Sequence, residues 1–206
     1  RKREILGSII EAQEKEREFI VQNLRESTSQ TLASCMMLLQ NNKSRRGDDE
    51  LYNGIVNNIQ QAMKELELIS KELSSTVIKD IGLLPAIQDY LDFFRLEYNW
   101  TIQFVCEGLD IENMKMSDKI SVFRIIQNYF RLLSHCVPAK KVSVNIHYNS
   151  SEILIVLGND NTMHVLPQQN REYQDIRSRV EYFGGTIAFR NTSNGQTLCI
   201  RLSLGG

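Results

Sequence analysis

Residues 5–40 contain no proline, and they carry an apolar or small residue at spacings of three and four. The series is Ile5, Ile9, Ala12, Phe19 or Ile20, Leu24, Ser27, Thr31, Cys35 and Leu38. Such spacing predicts one long helix with a narrow apolar seam, as in a coiled coil or bundle. The polar stretch 41–50, which holds Gly47, predicts a turn. A second periodic run then follows through Leu51, Ile55, Ile59, Ala62, Leu66, Ile69 and Leu73. Two long helices joined by a short loop make an antiparallel hairpin. A lone hairpin leaves its seam wet, so two copies are expected to pair through residues 5–75 into a four-helix bundle.

The pattern changes after residues 79–85. Residues 84–97 have helical apolar positions at Ala86, Leu91, Phe94 and Leu96. The segment 100–107 alternates and is rich in β-formers, predicting a strand. Residues 117–136 predict a helix capped by Ser117. Strands are expected at 141–148 and 152–159, a helix at 170–183 ending at Gly184-Gly185, and a closing hairpin across residues 192–195. The fold class is therefore α+β. A hairpin domain (1–78) should precede a two-layer α/β sandwich with a mixed sheet (79–206).

Composition narrows the function. A net charge of −1 argues against a protein that works by neutralising phosphates, so nucleic acid is not expected as a partner. No apolar run approaches the ~20 residues needed to cross a bilayer, so membrane contact is expected only through regions outside this chain. Cys35, Cys106, Cys136 and Cys199 form no metal-binding spacing and are expected to be buried free thiols of a reducing, cytoplasmic compartment. The opening "RKRE" has no Met, which suggests a cytoplasmic piece of a longer polypeptide.

A helical hairpin followed by an α/β sandwich is the domain order of the sensor histidine kinases of two-component systems. Residues 11–33 resemble the phosphoacceptor helix of the subfamily patterned E-R-x-x-I-x-x-x-L-H-D, matched by Glu16, Arg17, Ile20 and Leu24. "IGLLPAI" (81–87) looks like that family's linker, and "VFRIIQ" (122–127) resembles the start of its metal-binding helix. "IRSRVEYFGGTIAF" and "NGQTLCIRLSL" are similar to its last helix, glycine turn and final hairpin.

The resemblance also identifies which chemical positions differ. The family's phosphoaccepting histidine falls at Arg25, followed by Glu26. A neutral imidazole has a lone pair that can attack the γ-phosphate, whereas a guanidinium offers only donors. In the nucleotide pocket, Asn128 falls at the acidic position and Leu132 at the magnesium-ligating asparagine; a one-residue slip would place Arg131 there instead. Leucine has no oxygen for a metal that requires octahedral oxygen ligation. His135 and Cys136 fall where a Lys and a His are usual, and His135 is expected to be a partly buried helix-end residue. The adenine-reading aspartate corresponds to Asn159, or to Asp160 after a one-residue shift, with no glycine following. The second glycine box is replaced by residues 170–173, where Asn170, Glu172 and Tyr173 would crowd phosphates and Glu172 would repel them.

These readings imply a catalytically inactive sensor-kinase relative: a dimeric scaffold that binds neither ATP nor magnesium. It would act toward a response-regulator receiver domain or a partner kinase. Arg25, Glu26 and Ser27 are the expected partner-contact residues. The alternatives are a divergent but active kinase, whose acceptor would have to be His135, His147 or His164, and an interaction module outside two-component signalling.

Overall fold

The computed structural model describes residues 2–41, 49–136, 139–162 and 170–204. The chain divides into two compact units, one of residues 11–75 and the other of residues 1–10 together with 76–206. The expected turn at 41–50 lies largely outside the described residues. No helix among the described residues is long and apolar enough to cross a membrane.

Two helical runs build the first unit. Helix α1 (Lys2–Asn23) passes through a π-helical turn (Leu24–Thr28) into α2 (Ser29–Asn41), and α3 (Asp49–Leu73) returns. The inward face differs from the expected seam. Val21 is buried, and Glu14, Arg17, Leu24, Leu32, Ala33, Met36 and Leu39 are half-buried. By contrast Ile9, Phe19, Met37 and Leu38 of the first run are 49–66% exposed.

The π-turn explains the second half of this shift. The Ser29 amide donates to Leu24 O five residues back, so the inward position after Leu24 is Ser29 rather than Ser27 or Thr28. Leu32, Met36 and Leu39 then face inward, whereas an unbroken helix would have turned Thr31, Cys35 and Leu38 there. Cys35 is accordingly exposed, contrary to the buried thiol expected. On α3, Ile55, Ile59, Ala62, Leu66 and Leu73 are half-buried as expected, but Leu51 and Ile69 are exposed. Glu18 fastens the hairpin's exit, accepting from the Ser75 amide at 2.8 Å and from its hydroxyl.

The second unit begins its sandwich with α4 (Thr76–Ile81), which ends where the stretch read as linker (81–87) begins, and Gly82 at φ 95°. Helix α5 (Leu83–Glu97) follows, then β1 (Thr101–Gly108), a 3-10 turn (Ile111–Asn113), α6 (Met116–Cys136), β2 (Lys141–Tyr148) and β3 (Glu152–Asn159). Helix α7 (Arg171–Tyr182), β4 (Thr186–Thr192) and β5 (Gly195–Ser203) complete it. Ser117 lies inside the first turn of α6 rather than before it, so it is not the cap. Glu112 begins α5 from a distance: its carboxylate accepts from the amides of Leu83 and Leu84 at 3.0 and 2.8 Å and pairs with Lys119 at 3.0 Å.

The sheet runs β1-β2-β3-β5-β4, with β1 parallel to β2 and the remaining pairs antiparallel. Alternation along the strands places Val142, Val144 and Ile146 beside Ile153, Ile155 and Leu157, and then Leu198, Ile200 and Leu202, all buried on one face. Buried residues of α5, α6 and α7 join the same core, including Phe94, Phe130 and Val180. Helix α7 ends where Gly184, at φ 63°, and Gly185 return amides to Glu181 O and Val180 O.

Candidate functional site

The hairpin carries the acceptor-like position. Arg25, Glu26 and Ser27 are exposed and lie within the π-turn, on the outer side of the first run. Glu26 accepts from Gln22 Nε2 at 2.9 Å. Arg25 makes no hydrogen bond or ion pair among the described residues. The three residues therefore present charge and a hydroxyl to solvent from a locally widened helix, a distortion that recurs at functional positions.

In the sandwich, the positions selected from the sequence are brought together in part. Asn128, 4% exposed, donates to Asp175 across the gap between α6 and α7. Arg179 is fully buried, and its Nε donates to the same Asp175 oxygen at 3.1 Å. One turn earlier on α6, buried Arg124 donates to Gln127 Oε1 at 2.7 Å. Leu132 is fully buried within the apolar core. His135, at the end of α6, is exposed rather than partly buried.

At the end of β3, Asn159 is buried and uses both ends of its amide. Nδ2 donates to the Tyr129 hydroxyl at 2.9 Å, and Oδ1 accepts from the Asn161 amide at 3.0 Å. Burial pushes the Tyr129 hydroxyl well above its ordinary range, only partly offset by Asn159, so it remains a neutral phenol. Asp160 faces solvent, and its Oδ1 accepts from the amides of Lys140 and Lys141 at 2.9 and 3.1 Å. Burial raises its pKa, but those amides and the Lys141 charge outweigh this and hold the carboxyl below its usual range.

Asn170 is the N-cap of α7, accepting from the Glu172 amide at 2.8 Å. Glu172 lies in the first turn and Tyr173 packs against the core. His164 and the short segment between the two boxes lie outside the described residues.

A cavity of about 400 Å³ borders Asn159 and Asp160. Its other walls include Gln103, Ser143, Gly158 and Thr197, which alternate away from the core-facing positions of their strands. It does not include Asn128, Leu132 or Glu172. Among the described residues, no three His, Cys, Asp or Glu side chains converge on a common metal position.

The sequence reading missed Asp175, Arg179 and Tyr129. Asp175 and Arg179 carried a signal, since an Asp and an Arg four residues apart share a helix face. The burial of Arg179 did not, because nothing local announces that α6 will pack against that face.

The helical runs followed by the sandwich give the chain an α+β architecture. No family model matches the chain. The signal transduction histidine-protein kinase/phosphatase DegS of Brevibacillus brevis is 22% identical to it over 207 aligned positions, covering 95% of this chain and 53% of DegS. The histidine kinase domain of the blue-light activated histidine kinase EL346 from Erythrobacter litoralis shares its fold at a TM-score of 0.50 and 10% identity, over 85% of this chain and 94% of that domain. The chain is thus similar in sequence to one histidine-protein kinase/phosphatase and in fold to the kinase domain of another, and it spans about half the length of the curated relative it matches.

Proposed function

We propose that this chain is the transmitter region of a histidine kinase-like signalling protein that has given up phosphoryl transfer and works as a dimeric scaffold. The observation that carries this reading is at α6. The metal-ligand position is a fully buried leucine, Leu132, and the neighbouring polar position, Asn128, is tied to Asp175 on α7. Magnesium accepts only hard oxygen ligands in near-octahedral array. Leucine supplies none, and Asn128 is 4% exposed with its Nδ2 donated to Asp175.

Three further features support the reading. Arg25 cannot act as a nucleophile, the Asn159 amide is engaged at both ends inside the protein, and Asn170 and Glu172 form a helix cap where a phosphate cradle needs bare backbone. Dimerisation is supported by the hairpin's large exposed apolar side chains, among them Phe19, Met37, Leu38 and Leu51. Arg25, Glu26 and Ser27 are the proposed contact for a receiver domain or a partner kinase.

Isothermal titration with ATP and magnesium should give no binding heat, and incubation with γ-labelled ATP no labelled protein. Micromolar binding would overturn the absence of nucleotide binding, and label on any histidine would establish a divergent active kinase.

A further inference from the structure

The cavity beside Asn159 and Asp160 opens on the face of the sheet turned away from the core it shares with α5, α6 and α7. Strand register sets its floor. Gln103 on β1, Ser143 on β2, Gly158 on β3 and Thr197 on β5 are successive partners across the ladders, one row at right angles to the strands. Neighbouring strands lie about 4.8 Å apart, so Ser143 and Thr197 stand about 10 Å apart with only a glycine between them.

Glycine weakens a strand interior and often marks a place where a ligand or another backbone comes close. Gly158 is not among the positive-φ glycines, so the backbone does not demand it. An added Cβ would stand 2.5 Å from Ser143 Oγ, so even alanine would turn that hydroxyl from its present place. Ser143 and Thr197 are half-buried, yet their hydroxyls and the Gln103 amide make no hydrogen bond among the described residues. Each of these three groups can both donate and accept.

The lining also says what does not fit. Among its described side chains only Lys141 and Asp160 are charged, and the Lys141 charge acts on Asp160, so little net charge is offered to a phosphate or carboxylate. No aromatic ring lines the cavity among the described residues, so a nucleobase has nothing to stack on. The floor row carries no apolar side chain, so a hydrocarbon gains little by entering.

We propose that this cavity binds a small uncharged polyhydroxylated molecule, of the class of mono- and disaccharides or cyclitols. The ligand lies across Gly158, its hydroxyls paired with Ser143, Thr197 and the Gln103 amide. Each ligand hydroxyl both donates and accepts, matching groups that do the same. The volume of about 400 Å³ is enough, since small-molecule sites begin at about 300 Å³. The site lies on the opposite side of the sheet from α6, so this inference does not depend on whether the sandwich binds nucleotide.

The test is a titration of the whole chain with glucose, myo-inositol and trehalose, followed by NMR of the backbone amides. At least one of the three should shift the amides of residues 103, 143, 158 and 197 saturably. Ser143→Ala with Thr197→Val removes both hydroxyls at little change of shape. It should weaken that binding by at least about tenfold while the amides of α5, α6 and α7 stay in place. Gly158→Ala should weaken it as well. No saturable shift with any of the three, or equal binding by the double variant, would overturn the site. Tighter binding of inorganic phosphate or ATP at the same amides would overturn the class of ligand.

Discussion

A single side chain separates position 25 from an acceptor, which invites restoring it. Arg25→His returns a nucleophile to the π-turn but leaves Leu132, Asn128 and Asn159 as they are. The expected outcome is no phosphate incorporation from γ-labelled ATP, and label on the introduced imidazole would reverse the proposed inactivity. Tyr129 tests the other end of the pocket. Tyr129→Phe removes the acceptor that Asn159 Nδ2 uses at 2.9 Å and should cost about 1 kcal/mol in chemical denaturation. Glu112 carries a pH signature. Burial raises its pKa, but the Leu83 and Leu84 amides and Lys119 outweigh this, and the net value lies below the ordinary 4.5. The folded carboxyl is thus the stronger acid, so its stabilisation is fully present above about pH 4.5 and is lost as pH falls through the folded value. Glu112→Gln should lose about 2 kcal/mol at pH 7, and the gap from wild type in thermal melts should narrow below about pH 4.5.

At the scale of elements, the π-turn between α1 and α2 makes the sharpest claim. Deleting Ser27 should let the run close as continuous α-helix with Leu32, Met36 and Leu39 still facing α3. Its melting temperature, followed by circular dichroism, should stay within about 3 °C of wild type or rise. Deleting Ser34 instead turns Met36 and Leu39 outward and should cost at least about 2 kcal/mol. The same element marks where sequence reading stopped. Strands β2, β3 and β5 were legible because each alternates over a half-buried sheet, and Gly184-Gly185 announced the end of α7. The inward face of the first helix was not, since apolar side chains lie on two of its sides and a π-turn leaves no mark in periodicity. At the candidate site, Arg25, Leu132 and Asn159 could be chosen by position, whereas the Asn128–Asp175–Arg179 link depends on how α6 meets α7.

For the whole molecule, the exposed apolar side of the hairpin predicts self-association. Light scattering should give twice the chain mass, and Phe19→Lys with Leu38→Lys should give the single-chain mass without loss of helical signal, since both side chains are more than 60% exposed. A wild-type monomer would remove the support for the scaffold and favour an interaction module unconnected with two-component signalling.

Glu18 reaches across 57 residues of sequence to grip the peptide group and hydroxyl of Ser75. The two strokes of the hairpin are thereby fastened at the end where the chain leaves it, as a crank is pinned to its rod. Any axial sliding of the first helix past the third must either drag that exit with it or break the pin, so motion there comes in steps rather than as a continuous drift.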